Sequence, residues 1–188
     1  MGFSSLPFLF LFLTVVLLVS HILPFRFRNF FLLLANLVFY AYGEPVYVLI
    51  MIGSILVNFF AGLLMDKQST QGRRRAVLVV GIVLNLAALG VFKYAGLFVS
   101  TLREIPGLSS LPEVDIALPI GISFYTFQAV SYLIDVYWDD CAASHNLINF
   151  ASYISLFPQL IAGPIVRYKD VNEQLVSRRE TPTLFNSG

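Results

Sequence analysis

Long apolar runs constrain the fold of this chain more than any other feature of its sequence. A helix needs about 20 mostly apolar residues to cross a bilayer. Five runs approach that length, and they are Phe3–His21, Arg28–Tyr42, Val46–Met65, Ala76–Phe92 and Leu118–Val136. The chain is 57% hydrophobic and 12% charged, whereas soluble domains carry about 25% charged residues. The sequence therefore predicts an all-α, polytopic membrane helix bundle.

The first run has the position of a secretory signal peptide but not its flanking residues. No lysine or arginine precedes Phe3, and no small-residue cleavage site follows the run. A signal peptide normally has both features. We therefore interpret Phe3–His21 as a retained membrane span.

A sixth apolar run, Leu147–Ala162, is shorter and carries helix-breaking residues. Pro158 lies inside it, and Gly163 and Pro164 end it. Proline removes a backbone donor and clashes with the preceding helical turn. Broken backbone at membrane depth is tolerated only where protein or water satisfies it. We interpret this run as a re-entrant segment that returns to the side it entered from, and the alternative is an ordinary span with a kink.

The positions of lysine and arginine predict the orientation of the bundle. The polar loops are expected at Asp66–Arg75 and Lys93–Ala117. If Leu147–Ala162 is re-entrant, one side of the membrane holds ten of the 12 lysines and arginines, and only Lys93 and Arg103 lie on the other. Basic residues are enriched in cytoplasmic loops. The prediction is therefore about five spans plus one re-entrant segment, with the N-terminus outside.

Polar side chains within the apolar runs are expected to join helices to one another, because buried polar groups in membranes find partners. These residues are Asn36, Asn58, Asn85, Gln128 and Asp135. Asp135 lies near the end of its run, so the alternative is that it reaches the membrane interface.

Two further features of the fifth run carry structural predictions. Pro119 and Gly121 are expected to break the helix near its start. Four aromatic residues in and just after this run predict a belt at the membrane interface, and they are Tyr125, Tyr132, Tyr137 and Trp138.

The rest of the composition argues against nucleic-acid and metal binding. The net charge is +1, no basic-aromatic patch is present, and two histidines, His21 and His145, are too few for a His-rich metal site. Neither histidine has an acidic partner in its local sequence, so neither is predicted to be catalytic. Cys141 is the single cysteine, which excludes a disulfide within the chain.

Two strings of residues go beyond composition. LPIGISFYTFQAVSYLIDVY at Leu118–Tyr137 and FPQLIAGPIVRYKD at Phe157–Asp170 resemble the membrane-bound O-acyltransferase (MBOAT) family, in its bacterial alginate O-acetylation branch. FSSLPFLFLFL, RNFFLLLANLVFYAYGEP and NLAALGVFKYAGLF resemble the start, the second span and the fourth span of that branch. The resemblance covers essentially the whole chain and identifies residues 1–188 as the N-terminal part of a single membrane domain.

This resemblance implies a helix bundle around a funnel or tunnel in the bacterial inner (cytoplasmic) membrane. It implies acyl transfer from a cytoplasmic-side thioester toward a hydroxyl of an exported polysaccharide such as alginate, with acetyl as the expected group. No bound cofactor is implied, because the acyl thioester is a co-substrate. The implied partners are the lipid bilayer, a periplasmic acetyltransferase and polysaccharide export proteins.

The resemblance also implies that the broken sixth run forms part of the path by which the acyl donor enters, which we call the donor path. Arg167 and Lys169 follow the Gly-Pro break on the predicted cytoplasmic side, where their charges suit the phosphates of a thioester donor. The alternative is that Arg167 caps a helix end or marks topology. The donor-path candidates are Pro158, Gly163, Pro164, Arg167 and Lys169.

The sequence differs from the family in one respect that limits the activity we expect of this chain. The family's catalytic histidine lies in a His-Gly-x-x-Trp-like setting well downstream of the Gly-Pro-Ile segment, and this sequence contains no such motif. Acylation of a hydroxyl needs a base, which typically contributes about 10²–10⁴-fold in rate. No catalytic residue is therefore assigned, and the chain is expected to be a truncated part that is inactive alone.

Two other classes of function stay open at the level of the sequence. Broken helices also serve small transporters and channel-like proteins, although no inverted repeat is visible here. A non-catalytic membrane scaffold for a partner acetyltransferase is the other alternative. Flux in proteoliposomes would favour transport, and neighbouring genes for polysaccharide synthesis would favour acetylation or the scaffold.

Overall fold

A computed structural model describes residues 8–104, 118–162 and 166–176 of the chain. Within these residues every regular element is helical, as the sequence predicts. A π-helical turn, Phe8–Leu13, leads into the first α-helix. The α-helices are α1 (Thr14–Ile22), α2 (Phe25–Gly43), α3 (Tyr47–Asp66), α4 (Gln71–Arg103), α5 (Ile122–Tyr137), α6 (Leu147–Ser155), α7 (Phe157–Ala162) and α8 (Tyr168–Val176).

Two of the described helices, α3 and α4, are long and apolar enough to cross a membrane by length and composition. Both expose large apolar side chains, such as Phe60 on α3 and Val83 on α4. Contiguous apolar surface of this kind is unusual on soluble proteins and fits contact with lipid. The predicted count of about five spans stays a prediction.

Helix α4 corrects the two predicted loops. Residues 93–103, predicted to open the loop Lys93–Ala117, continue α4, and the predicted loop Asp66–Arg75 is shorter because α4 already begins at Gln71. Lysine, arginine and leucine are good helix formers, and no proline interrupts these 33 residues. Polar residues here therefore do not mark the ends of the helix.

Helix α5 lies in the centre of the bundle and packs against α3, α4 and α6. Its buried face carries Ile122, Tyr125, Ala129, Tyr132 and Leu133, each at most 2% exposed. The spacing of three to four residues places these side chains on one stripe of the helix. Apolar and aromatic residues of α3 and α6 complete this core.

The start of α5 depends on Gly121, in agreement with the predicted break. Gly121 has φ of 78°, in the left-handed region that glycine adopts without steric cost. A Cβ at this position would lie 3.0 Å from the main-chain oxygen of Leu160 in α7. The hydroxyl of Tyr40 in α2 donates to the main-chain oxygen of Ile120 at 2.9 Å. The end of α2, the start of α5 and α7 therefore meet at one end of the bundle.

The opposite end of the bundle is called the basic end and is defined by residues 67–75, 138–146 and 166–169. Arg74, at the start of α4, donates to both carboxylate oxygens of Asp139 at 3.0 and 2.6 Å. It also donates to the main-chain oxygen of Val136 at 2.8 Å. Arg74 therefore ties the start of α4 to the end of α5.

The predicted aromatic belt is wrong for two of its four members. Tyr125 and Tyr132 are 1% and 0% exposed and belong to the core. Trp138, just beyond α5, is 66% exposed and keeps a position suited to an interface. Tyr125 and Tyr132 share the buried stripe of the helix, and this stripe decides their location.

Candidate functional site

The candidate site is built around the interruption between α6 and α7. The two helices are separated by Leu156, which has an extended ψ of 106°. Pro158 is the second residue of α7, where its missing N–H costs little because the first turn of a helix leaves its donors without helical partners. The sequence predicted a break in this run, and the structure places it just before the proline.

Polar side chains from the neighbouring helices meet this interruption. The main-chain N–H of Phe157 donates to Oδ1 of Asn36 in α2 at 3.5 Å. The side-chain amide of Gln128 in α5 donates to Oε1 of Gln159 in α7 at 2.9 Å. Asn36 and Gln128 are both 1% exposed. Buried amides of α2 and α5 therefore contact the interruption: Asn36 accepts from its backbone, and Gln128 bonds a side chain of α7.

The path of the chain from α6 to α8 starts and finishes toward the basic end. At the start of α6, the side chain of Asn146 accepts from the N–H groups of Ile148 and Asn149. This is the usual cap of a helix N-terminus. After α7 has passed Gly121, Tyr153 in α6 donates its hydroxyl to the main-chain oxygen of Val166 at 2.7 Å. Residues 166–168 are therefore held back against α6.

The next residue but one, Tyr168, is fixed in an aromatic pocket that we call the Tyr168 socket, formed by Tyr132, Phe150 and Tyr153. Its ring centroid lies 5.2 Å from that of Tyr132, 5.3 Å from that of Tyr153 and 6.1 Å from that of Phe150. Offset and edge-on ring pairs at such distances stabilise aromatic cores. Burial in the socket raises the pKa of the Tyr168 phenol.

The two predicted basic residues flank this anchored tyrosine. Arg167 is exposed, and Lys169 is half-buried with its ammonium 3.9 Å from Oδ2 of Asp140. The structure therefore brings Arg167 and Lys169 together at the basic end. Pro158 is exposed on α7, which lies near the opposite end. Gly163 and Pro164 lie outside the described residues.

A polar cavity of about 260 Å³ lies between the loop 142–146 and α8. Its lining includes hydroxyl, amide and imidazole groups from Ser144, His145, Asn149, Tyr168 and Asn172. A pocket with several convergent hydrogen-bonding groups suits a polar ligand. Nothing in the local sequence indicated this cavity, because its walls come from segments that only the fold brings together.

A pair of side chains beside the cavity also joins distant segments. His145 Nε2 lies 3.6 Å from Oδ2 of Asp66, and both side chains are largely exposed. The acidic partner of His145 is thus about 80 residues away in sequence, which is why the local sequence did not show it. Among the described residues, no group of three His, Cys, Asp or Glu side chains is placed to hold a metal ion.

Two residues near the site, both in the loop between α5 and α6, have shifted pKa values. Burial raises the pKa of the Cys141 thiol to about 11, and the charges of Asp135 and Asp140 act in the same direction. Cys141 is therefore a thiol at neutral pH and a weak nucleophile. The hydrogen bond from Arg74 holds the pKa of the Asp139 carboxyl below its usual range.

The predicted role of buried asparagines as contacts between helices is confirmed for Asn58 and Asn85. The amide of Asn58 donates to Oδ1 of Asn85 at 3.1 Å, and the amide of Asn85 donates to Oδ1 of Asn58 at 2.7 Å. Each amide also donates to a main-chain oxygen one turn earlier, in Ser54 and Gly81. This reciprocal pair joins α3 to α4.

Comparison with known proteins supports the family resemblance. The chain is 43% identical over 192 residues to the "Probable alginate O-acetylase AlgI" of Pseudomonas aeruginosa, covering 100% of this chain and 37% of the relative. It is 40% identical to the protein of the same name from Azotobacter vinelandii, covering 100% and 38%. It is 31% identical to the "Peptidoglycan O-acetyltransferase" of Helicobacter pylori, covering 94% and 40%.

These findings show that the chain is similar to the N-terminal part of AlgI-like proteins of the membrane-bound O-acyltransferase family. More narrowly, it matches the alginate O-acetylase type along its whole length, as the sequence resemblance indicated. The chain spans less than half the length of the curated relatives it matches. No family model matches the chain, and no solved structure matches it.

Proposed function

We propose that this chain forms the donor-side membrane portion of an O-acyltransferase that transfers acetyl groups toward hydroxyls of an exported polysaccharide such as alginate. The observation that supports this most is the whole-length similarity, at about 40% identity, to proteins named as alginate O-acetylases. The peptidoglycan O-acetyltransferase among the relatives supports the broader class of polysaccharide substrate. The acetyl donor in this proposal is an acyl thioester that acts as a co-substrate.

Helices α6 and α7 form the re-entrant segment of this enzyme in the proposal. Support comes from their neighbours: α6 begins beside the loop 138–146, α7 approaches Gly121, and Tyr168 lies again beside Tyr132. Because α7 is short and its neighbours hydrogen-bond to the interruption, the broken backbone lies within protein, as membrane proteins require. The segment thus enters from the basic end and returns to it.

The basic end faces the cytoplasm in this proposal. It carries Arg73, Arg74, Arg75, Arg167 and Lys169, and such an excess of basic residues is typical of the cytoplasmic side. The N-terminus then lies outside, about five segments span the bacterial inner membrane, and the acceptor is reached on the periplasmic side. A periplasmic acetyltransferase and export proteins are the proposed partners there.

Arg167 is the residue that we propose contacts the donor. It is exposed at the basic end, it directly precedes the anchored Tyr168, and a guanidinium binds phosphate oxygens in a bidentate manner. Lys169 contributes a second charge nearby, although Asp140 shares it. The polar cavity beside Tyr168 and Asn172 offers hydrogen-bonding groups to the rest of a polar donor.

Arg167→Gln tests this role in the full-length acetylase that contains this segment, with acetyl-coenzyme A as the probe donor. The expected result is an increase of about tenfold in the KM for the donor, which corresponds to the loss of one charge-assisted contact. Arg167→Lys should retain part of the affinity. Arg73→Gln removes a charge from an exposed position at the same end and serves as the matched control. Unchanged donor dependence of Arg167→Gln, at normal expression, would contradict the proposed donor path.

A further inference from the structure

A cavity of about 350 Å³ lies between α3, α4 and α5, and none of the donor-path candidates lines it. Its walls include Gly53 and Val57 of α3, Leu84 and Ala88 of α4, and Ile122 of α5. Val57 and Leu84 are also 44% and 51% exposed, and a Cβ at Gly53 would meet nothing within 4 Å. The cavity is therefore an open groove on the apolar surface of the two long helices, and we call it the α3–α4 groove.

The polar side chains in the walls of the α3–α4 groove offer little to a polar ligand. Asn58 and Asn85 donate to each other and to main-chain oxygens one turn earlier. The hydroxyl of Ser54 accepts from Asn58 at 3.3 Å, and Tyr125 and Thr126 are buried. None of the described residues that line the groove is charged. The groove therefore suits an apolar occupant.

An exposed apolar stripe runs along α3 from this groove to the basic end. Val57, Phe60 and Leu64 are all exposed, and their spacing of three to four residues places them on one face of the helix. Lys67, the exposed residue just after α3, continues that spacing. At a rise of 1.5 Å per residue, Lys67 lies about 21 Å from Gly53 along the helix axis. One leaflet of a bilayer with its headgroups is about 20–22 Å thick, so the stripe and the groove together have the length of one lipid.

The basic end of this stripe suits an anion. Among the described residues Lys67 forms no ion pair, and its neighbour Asp66 lies 3.6 Å from the imidazole of His145. Helix α4 begins four residues later at Gln71, without a side-chain cap from Thr70 and without an acidic residue in its first turn. The N-terminus of a helix carries partial positive charge and free N–H groups that favour a phosphate. Lys67 and the start of α4 therefore offer a phosphate a positive environment at one leaflet's length from the groove.

We propose that the α3–α4 groove holds one acyl chain of an anionic phospholipid, whose phosphate lies at Lys67 and the start of α4. Basic residues at the ends of membrane helices recognise anionic headgroups. An unfilled apolar groove forfeits van der Waals contacts, which an acyl chain restores. A protein helix could also fill the groove, but only a lipid accounts for a cation at one leaflet's length from it. The inference goes beyond the proposed function, because it requires only that α3 and α4 lie in a bilayer.

Native mass spectrometry of the full-length acetylase that contains this segment tests the groove, with dipalmitoyl phosphatidylglycerol as the probe. Ala88→Phe places a ring in the groove and should remove one tightly bound phosphatidylglycerol per chain. Ala87→Phe, the same change at an exposed position of α4 outside the lining, should keep that lipid. Equal lipid occupancy in the two variants would overturn the proposal.

The headgroup contact is tested by titrating the same lipid against Lys67→Gln. The Kd for phosphatidylglycerol should rise about fivefold, the effect of one charge near a membrane surface, while binding of phosphatidylcholine should stay unchanged. Lys93→Gln removes a charge from an exposed position farther along α4 and should leave both unchanged. A Kd of Lys67→Gln equal to that of the wild type would overturn the proposed position of the phosphate.

Other occupants of the groove give different results. If a second copy of the chain or another segment of the enzyme fills it, Ala88→Phe lowers the oligomeric mass or the Tm and leaves the lipid count unchanged, and the proposal is wrong. If Ala88→Phe fails to accumulate, the wild type decides: dipalmitoyl phosphatidylglycerol should bind at least about tenfold more tightly than the dihexanoyl lipid, and free glycerol phosphate should not displace it. Equal affinity for the two chain lengths, or displacement by glycerol phosphate, would overturn the proposal.

Discussion

Gly62 is the residue on which the packing of α3 against α5 depends most directly. A Cβ at this position would overlap the hydroxyl of Tyr132 and lie 2.9 Å from two carbons of its ring. Tyr132 is fully buried and cannot retreat, because its hydroxyl accepts from the N–H of Ser144 at 3.0 Å. The absence of a side chain at Gly62 therefore makes room for one wall of the Tyr168 socket.

Gly62→Ala should lower the free energy of unfolding by about 1–3 kcal/mol, the usual cost of overpacking a core. Gly53→Ala is the matched control on the same helix, since a Cβ there meets nothing within 4 Å. Alanine should be neutral or slightly stabilising at that control position, because it favours helix over glycine. Thermal unfolding of the purified protein in detergent measures both, and equal effects of the two changes would contradict the close contact.

At the scale of elements, α3 and α4 are joined by the reciprocal pair of Asn58 and Asn85. Replacing Asn85 by alanine leaves Asn58 without its interhelical partner, and should cost about 1 kcal/mol. The double variant Asn58→Ala, Asn85→Ala should cost less than the sum of the single changes. Ser100→Ala is a control, since its hydroxyl bonds only within the exposed part of α4. Additive single costs in a chemical unfolding series would count against the pair.

The contact of Arg74 with Asp139, which we call the Arg74 clamp, makes the stability of the protein depend on pH. The Arg74 hydrogen bond lowers the pKa of Asp139, so the contribution of this carboxylate to stability is present at neutral pH. That contribution is lost as the pH falls through the lowered pKa, below the usual range of aspartate. The difference in Tm between the wild type and Asp139→Asn should therefore persist down to the ordinary aspartate range and disappear under stronger acid.

Arg73→Ala and Arg74→Ala form a matched pair of variants for the same clamp. Arg73 is exposed at the start of α4, whereas Arg74 bonds both Asp139 and the end of α5. Only Arg74→Ala should abolish the acid-dependent change in Tm. A wild-type pH profile in the Arg74→Ala variant would show that the clamp does not form.

Much of the helical fold can be predicted from the sequence. Apolar runs of membrane length predict helices, and Gly121 predicts a break because glycine adopts left-handed backbone without steric cost. The apolar runs do not predict the full extent of α4, because its charged ends interrupt the hydrophobic pattern although lysine and arginine are good helix formers. At the break, Leu156, the N–H of the next residue, Phe157, donates to the side chain of Asn36 in α2. Such contacts depend on the assembled bundle.

The candidate site was also only partly predictable from the sequence. Charge counting placed Arg167 and Lys169 at one end of the bundle with the arginines of α4. It could not show that His145 lies close to Asp66, because no sequence period relates residues so far apart. Long-range pairs of this kind depend on the packing of α5 against its neighbours.

For the whole molecule, the proposed topology can be checked with single cysteines in a Cys141→Ser background. Ala142→Cys and Asp170→Cys lie at exposed positions before and after the interrupted segment. Both should resist a membrane-impermeant maleimide added to intact spheroplasts and react after permeabilisation. Val46→Cys, exposed at the opposite end of the bundle, should react from outside.

Opposite accessibility of Ala142→Cys and Asp170→Cys would mean that α6 and α7 cross the membrane as a kinked span. Equal accessibility from outside for both would reverse the predicted orientation but keep the re-entrant path. The two readouts therefore separate the shape of the segment from its direction.

The Tyr168 socket also has a consequence for the order in which the protein assembles. Its walls come from α5 and α6, which are synthesised before α8, and membrane helices insert before they associate. Tyr168 can enter only after those two helices have met, so α8 docks after α5 and α6 have paired. A chain in which α5 and α6 have paired wrongly has no place for Tyr168 and leaves α8 open to proteolysis.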